Sequence, residues 1–415
     1  MLYRAIGLMS GSSLDGLDLV CASYQENGGK WGFEILAAGC IPYDDAWKKR
    51  LSAATTLNAL DYQLLHVDYG HYLGEQVNEF IKVNGLDFKV ALLSSHGHTS
   101  FHIPARRMTA QLGDGAAIAA VTQLPVVTDL RAMDVAFGGQ GAPIVPIGEQ
   151  LLFPDYNYFL NIGGIANLSV KKDSFTAFDV CPANRILNLL VAETGKEYDD
   201  EGMMAASGTV NAALLEELNG LDYYRLSGPK SLANDFGTDL IYPLIKKHSL
   251  SIYDALATYV EHIADQVTAA LANNNAGTSA KTDGSTQRDN DSSAQGKADN
   301  GMQGETGYAT HSEKETSSQG KAVSIENANT PLPDKMLVTG GGAFNTFLIE
   351  RLSEKLKPLG IQPVVPVADI VNYKEALIMG LIGVLRWREE TNVLSSVTGA
   401  RRDSVGGAFW MGQEG

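Results

Sequence analysis

The sequence predicts an α/β protein of two mixed-sheet domains with a cleft between them. Three observations carry this. A meander of three strands followed by alternating helices and strands occurs twice, from about residue 3 and again from about residue 157. Glycine-bearing turns fall at strand ends in both copies. A polar stretch at about 273–333 interrupts an otherwise ordered pattern. The copies share no obvious identity, so the repeat is structural, and a ligand cleft between two such layers is the natural arrangement.

The elements follow in order. Residues 3–9, 17–24 and 31–42 read as the first meander. A helix at Tyr62–Val83 places Leu65, Tyr69, Tyr72, Val77 and Phe80 on one side. Val90–Ser95 reads as a buried strand, Asp114–Thr122 as a helix and Pro125–Asp129 as a strand. The second meander comprises Asn157–Ile162, Ala166–Lys171 and Phe175–Val180, followed by a helix from Asn184 to about Glu193. Tyr253–Leu271 is an amphipathic helix, with Leu256, Val260, Ile263, Val267 and Leu271 at helical spacing. Lys335–Thr339 is a short strand, and the helix after it buries Leu348, Leu352 and Leu356. The segment 273–333 has too few large apolar residues to offset the entropy of ordering, so a disordered surface-loop insertion is expected there, with a regulatory tail as the alternative. Residues 1–140 form the first domain and 141–415 the second, with the final residues returning to the first.

Composition narrows the function. The chain has 415 residues and a net charge of −16, from 32 Lys+Arg against 48 Asp+Glu. That balance argues against nucleic acid or an anionic membrane as partner. An anionic substrate must then be handled by local dipoles, basic side chains or a metal. Three cysteines, Cys21, Cys40 and Cys181, make no disulfide framework and fit a reducing compartment. No apolar run reaches the length of a membrane span, and the N-terminus is a poor secretory signal, so a cytoplasmic protein is expected.

Three glycine turns are the candidate ligand loops: Gly7–Asp18, Asn161–Asn167 and Val338–Asn345. Consecutive backbone N–H groups in such turns form anion-binding concavities, and the third opens a helix whose dipole favours phosphate. None is a Gly-Lys-Ser/Thr phosphate loop or a Gly-x-Gly-x-x-Gly dinucleotide turn. The pattern resembles the actin/hexokinase-like ATPase fold.

Several segments together resemble the anhydro-N-acetylmuramic acid kinase family. They are Gly11-Ser12-Ser13-Leu14-Asp15-Gly16-Leu17-Asp18, Ser95-His96-Gly97-His98-Thr99, Gln111–Gly115, Asp134–Pro143, Asn161–Ser169, Gly340–Asn345, Lys374-Glu375-Ala376 and Val397–Ala400. The resemblance implies an enzyme that uses ATP and Mg²⁺ to phosphorylate O6 of 1,6-anhydro-N-acetylmuramic acid while water opens the anhydro bridge. It implies ATP contacts at Gly11, Ser12, Ser13, Asp15, Gly16, Asp18, Asn161, Gly163, Gly164, Gly340, Gly341, Gly342 and Asn345. It implies sugar contacts at His96, Gly97, His98, Thr99, Arg131, Asp134, Gln140 and Asn184. It also suggests a homodimer. Where the family has Asp-Thr-Gly-Pro-Gly-Asn, this chain has Asp179-Val180-Cys181-Pro182-Ala183-Asn184.

Individual residues carry two readings each. Asp179, expected at the end of a strand facing the cleft, is the candidate general base or a cap of the next helix. Asp15 is the candidate Mg²⁺ residue, through water; Asp18 shares that role or bonds its own hairpin. His98 and His102, four apart, sit in an expected loop as sugar-pocket residues or a metal pair. The segment 131–140 is a hinge or a simple linker. Glu375 is expected to begin a helix, near the adenosine loop or facing solvent. Other functions compatible with the fold are a kinase of another sugar and a non-catalytic nucleotide-gated module.

Overall fold

The structure is a computed structural model that describes residues 1–11, 13–171, 175–226, 230–232, 235–279 and 333–412. The expected insertion lies outside the described residues beyond Ser279, as does Ser12. The first sheet contains β1 (Leu2–Ser10), β2 (Gly16–Asn27), β3 (Lys30–Pro42), β4 (Leu92–Ile103), β5 (Met108–Leu112) and β6 (Val126–Thr128). The second contains β7 (Tyr158–Ile162), β8 (Ile165–Lys171), β9 (Phe175–Pro182), β10 (Asp334–Thr339) and β11 (Ile361–Val364). β12 (Ala408–Trp410) returns to the first sheet and pairs antiparallel with β6.

The helices used below are α1 (Ala59–Val83), α2 (Gly115–Thr122), α3 (Ala132–Ala136), α4 (Pro146–Leu152), α5 (Asn184–Ala192), α6 (Ile252–Ser279), α7 (Thr346–Leu356) and α8 (Ala368–Trp387). Asn58 caps α1 by accepting from Asp61 N, and Asp114 caps α2 by accepting from Ala117 N.

Both sheets have the same topology. The first runs β3-β2-β1-β4-β6 and the second β9-β8-β7-β10-β11. In each, three antiparallel strands are followed by two added in parallel. The repeated meander expected from the sequence is thus a duplicated sheet.

Period-two alternation divides the core into layers. On the outer face of the first sheet, Ile6, Leu8, Leu19 and Leu93 pack with Leu65, Tyr69, Leu73 and Ile118 of α1 and α2. On the outer face of the second, Leu160, Met336 and Val338 pack with Ile186, Val260 and Leu352 of α5, α6 and α7. Between the sheets, Ala5, Val20 and Leu92 meet Phe159 and Leu337 around α8, through Leu377, Ile378, Leu381 and Ile382. One helix therefore seals the inner faces of both sheets.

Two expectations change here. The strand expected at Val90–Ser95 runs on to Ile103 and forms a hairpin with β5. His98 and His102 thus lie on a strand, not in a loop. Gly97, at φ +69°, makes this tolerable, because a Cβ there would lie 2.5 Å from the Leu112 carbonyl oxygen. Glu375 does not begin a helix: α8 starts at Ala368 and puts Glu375 in its third turn.

The contact of α8 with β1 depends on missing side chains. A Cβ on Gly7 would lie 1.9 Å from the Ala376 carbonyl oxygen and 2.4 Å from Gly380 N. Gly7→Ala should lower stability by about 3 kcal/mol, since neither backbone can yield without reopening the central layer. Thermal unfolding checks this, and an unchanged midpoint refutes it.

Candidate active site

A cavity of about 820 Å³ opens between the two sheets. Its walls come from both halves: His102, Arg131 and Gln140 on one side, and Asn161, Asn167, Asp179, Lys230 and Ser231 on the other, with Glu149, Lys374 and Glu375 between. A second cavity of about 910 Å³ is lined by Asn184, Tyr198, Asp199, Gly341, Gly342 and Asn345, among others.

Asp179 lies within β9, three residues before its end, and not at the strand terminus as expected. Its aim comes from a register shift: Ala166 pairs with Cys181 but Asn167 pairs with Asp179, leaving Val180 as a bulge. Phe178 and Val180 go into the core, and Asp179 faces the cavity between them. Asn167 Nδ2 donates to Oδ1. Ser231 Oγ (3.1 Å) and Leu232 N (2.8 Å) donate to Oδ2. The cap alternative is excluded, because the N-cap position of α5 is Ala183 and no side chain caps it.

The second and third glycine turns meet. A Cβ on Gly340 would lie 2.5 Å from Asn161 Oδ1, and one on Gly342 would lie 2.2 Å from Ile162 Cγ2. A Cβ on Gly163 would lie 3.6 Å from Ile165 O and one on Gly164 3.9 Å from Arg185 Cβ, ordinary contact distances. The carbonyls of this turn accept from Ala183 N and Asn184 N at the start of α5. Asn184 therefore sits with the glycine turns on the second cavity, not in the first cavity where a sugar contact was expected; its Nδ2 donates to Ile162 O at 3.1 Å. Asn345 is the N-cap of α7, accepting from Leu348 N at 2.9 Å, and lines the same second cavity.

The first turn is held by its own side chains. Asp15 Oδ1 accepts from Ser13 Oγ (2.7 Å) and Gly16 N (3.0 Å). Gly11 and Asp15 belong to the lining of neither cavity. Asp18 is half-buried and bonded to the Cys40 thiol. Burial first, then the charges of Asp15 and Glu375, push its carboxyl up to about 6. Burial also raises the Glu375 carboxyl, with the Lys374 charge opposing and the Glu149 charge adding.

The expected sugar segment splits into two groups. His96 and His98 are buried and belong to the lining of neither cavity. His98 Nδ1 lies 3.2 Å from Ser10 Oγ, behind the first turn. Burial and the Arg131 charge hold His96 down at about 4, hence neutral. Thr99, His102, Arg131 and Asp134 form the second group. Arg131 Nη1 donates to Thr99 Oγ1 at 3.0 Å, and its Nη2 lies 3.2 Å from His102 Nε2. Asp134 accepts from Gly141 N (2.7 Å) and Thr398 Oγ1 (2.6 Å), tying 131–141 to the C-terminal segment. These bonds tie the segment to β4 and to the C-terminal residues. With His98 turned to Ser10 and His102 to a guanidinium, the two imidazoles do not converge on one metal position.

Sequence reasoning missed Glu149 and Lys374 as a pair, because 225 residues separate them. Lys374 Nζ donates to Glu149 Oε1 at 2.6 Å, and both side chains are at least 95% buried. Glu149 Oε2 is buried without a hydrogen-bond partner. Removing one member strands the other charge, which costs more than removing both. Glu149→Leu should cost about 3–5 kcal/mol, and Lys374→Met added to it should restore most of that. Urea unfolding of single and double variants decides; equal midpoints refute it.

Asp18 makes the stability of the nucleotide-free chain depend on pH. It keeps its proton to about 6 in the fold, against 3.8 in a free chain. The folded chain therefore binds the extra proton between these values, and stability falls as pH rises through them. Asp18→Asn should be more stable than the parent above pH 6 and gain nothing below pH 4, as read from denaturation midpoints across pH.

The family model for anhydro-N-acetylmuramic acid kinase matches residues 3–282 and 308–412. The anhydro-N-acetylmuramic acid kinase of Hydrogenovibrio crunogenus is 29% identical over 422 residues, covering 98% of this chain and 97% of its own. That of Paramagnetospirillum magneticum is 35% identical over 274 residues, covering 64% of this chain and 75% of its own. A solved structure of the activator of the 2-hydroxyisocaproyl-CoA dehydratase from Clostridium difficile with bound ADPNP aligns over 93% of this chain and 96% of its own, at 12% identity and a TM-score of 0.38. The family match takes in both sheets, the glycine turns and Asp179, so this chain belongs to the anhydro-N-acetylmuramic acid kinase family.

Proposed function

We propose that this chain phosphorylates O6 of 1,6-anhydro-N-acetylmuramic acid with ATP while hydrolysing the anhydro bridge, giving N-acetylmuramic acid 6-phosphate, and that Asp179 is the general base. The observation that carries the reading is the Asp179 carboxylate, fixed by Asn167, Ser231 and Leu232 N in the wall of the cavity between the sheets. A base held by three donors keeps its orientation when water arrives, and Oδ1, which accepts from Asn167 alone, retains lone-pair capacity for that water. Asp179 takes a proton from the water as its oxygen bonds to C1. The C1–O6 bond breaks, O6 bonds to the γ-phosphorus of ATP, and the bond from that phosphorus to the β–γ bridging oxygen breaks so that ADP leaves.

The nucleotide fits the second cavity and its glycine turns. Gly341, Gly342 and Asn345 line it, and the second glycine turn meets the third where a Cβ on Gly340 would lie 2.5 Å from Asn161 Oδ1; backbone N–H groups in such turns suit phosphate. With a net charge of −16, phosphates are met by backbone dipoles and a metal more than by surface cations. Mg²⁺ fits beside Asp15 and Asp18, which lack a basic partner within ion-pair distance among the described residues. No group of three or more His, Cys, Asp or Glu among the described residues could enclose a metal directly, which favours contact through water. Bound there, the ion would offset phosphate charge. Among the described residues no helix is long and apolar enough to cross a membrane.

Asp179→Asn should lower turnover by about 10²–10⁴-fold with ATP binding retained, because the variant keeps the shape of the side chain but cannot accept the proton. Mass spectrometry of the product formed in ¹⁸O-water reads phosphorylation and hydrolysis together. Parent-like turnover in Asp179→Asn, or phosphorylated product without solvent oxygen, refutes the assignment.

A further inference from the structure

β9 is an edge strand of the second sheet, so backbone groups on its outer side have no neighbouring strand to pair with. At Asp179 both such groups are taken. Asp179 N donates to Lys230 O at 2.9 Å, and Asp179 O accepts from the Tyr223 hydroxyl at 2.8 Å. On the inner side the register shift leaves Val180 bulged, and a bulge disrupts the ladder where it occurs. The bonds from outside the sheet therefore carry more of the burden of holding Asp179 in place.

The same few residues hold both the main chain and the carboxylate. Ser231 Oγ and Leu232 N, which follow Lys230 directly, donate to Oδ2. The Lys230 ammonium turns back to donate to the Tyr223 carbonyl oxygen at 3.0 Å and lies 4.3 Å from the centre of the Tyr223 ring. Tyr223 sits in the short helix Asp222–Arg225, with the rings of Tyr224 and Phe236 centred 5.5 and 5.4 Å away. Tyr224 in turn shares a hydrogen bond of 3.0 Å with the buried His262 of α6. Burial first, and then the Asp179 charge, push the Tyr223 phenol up, so its hydroxyl keeps its proton and stays a donor. Tyr223 is not among the residues lining the cavity.

We infer that Tyr223 is a positioning residue for the general base: its hydroxyl holds the main chain of Asp179, and its ring and carbonyl hold residues 230–232 through Lys230. The inference rests on the proposed role of Asp179 and adds the support that keeps that carboxylate aimed. A base works only within hydrogen-bond reach of its water, so a small displacement of Asp179 is felt in the chemical step. A Tyr223 that served stability alone would leave turnover per folded molecule unchanged. A Tyr223 that bound substrate would raise KM for the sugar and leave kcat unchanged.

Tyr223→Phe keeps the ring and its contact with Lys230 but removes the donor. It should lower kcat by about 10-fold, with KM for ATP and for the anhydro sugar within about twofold of the parent. Lys230→Met cuts the other tie and should lower kcat by about three- to tenfold. Each substitution is then combined with Asp179→Asn, and the residual turnover is read by mass spectrometry of the product. A residue that acts through the base loses its effect when the base is absent, so neither substitution should slow Asp179→Asn by more than about twofold. Losses that multiply in the double variants overturn the inference. So does a parent-like kcat in Tyr223→Phe beside a loss of about 10²-fold or more in Asp179→Asn. A raised KM for the sugar with kcat unchanged overturns it in favour of substrate contact. Parent-like turnover in Asp179→Asn refutes the base itself, and the inference with it. Thermal unfolding of each variant normalises turnover to folded protein, and Lys230→Met carries the test if Tyr223→Phe does not fold.

Discussion

The close approach of α8 to the first sheet is the constraint on which the rest of the molecule depends. Gly7 and Gly380 let helix and strand backbones approach more closely than any side chain would allow, and Gly383 does the same against Ser94. The buried Tyr24 hydroxyl donates to the Leu377 carbonyl oxygen at 2.6 Å and sets the rotation of the helix. That rotation points Leu377, Ile378, Leu381 and Ile382 into the layer between the sheets, and carries Lys374 and Glu375 to the cavity. The width of the cleft, the Lys374–Glu149 ion pair and the position of Glu375 all follow from one glycine-lined contact.

Charge inside the cavity is then arranged by partner. Lys374 has a carboxylate; Asp179 has three neutral donors; Glu375 has burial opposed by the Lys374 charge; Arg131 has neutral acceptors only; and outside the cavity lining Asp18 has burial and acidic neighbours. Desolvation makes each incomplete group costly in the free protein. A ligand of complementary charge that reached one of these groups would offset part of that cost.

Much of this was legible in the sequence, for physical reasons. Strands and helices with strong periodicity, such as α1 and α6, appear where Leu65, Tyr69 and Val77 or Val260, Ile263 and Val267 recur. The duplicated sheet was visible because the first strand of each meander runs into a glycine-bearing turn. The β4–β5 hairpin was not, because Ser95-His96-Gly97-His98-Thr99 is polar and looks like a loop. Those side chains are buried by neighbours distant in sequence, Ser10 and Leu112 among them. The bulge that aims Asp179 also left no local signal, since it arises from register with β8. Arg131 and Asp134 could be singled out as residues, but not their unequal partnering, which depends on Thr99, Gly141 and Thr398.

The duplication goes further than strand order. Asp18 is the third residue of β2 and lies opposite Cys40 of β3; Asn167 is the third residue of β8 and lies opposite Asp179 of β9. Both pairs are joined through their side chains, thiol to carboxylate in one half and amide to carboxylate in the other. Each half therefore presents one acid from the equivalent cross-strand pair, on the middle strand in the first sheet and on the third strand in the second. Their environments separate them. Asp18 has a weak thiol partner and two acidic neighbours, Asp15 and Glu375, and so is suited to a cation. Asp179 has an amide, a hydroxyl and a backbone N–H, and so stays an oriented proton acceptor without one. Two copies of one sheet thereby hold two acids in contrasting surroundings, one beside a thiol and two further acids and one fixed by three neutral donors, so equivalent cross-strand pairs support two different chemistries.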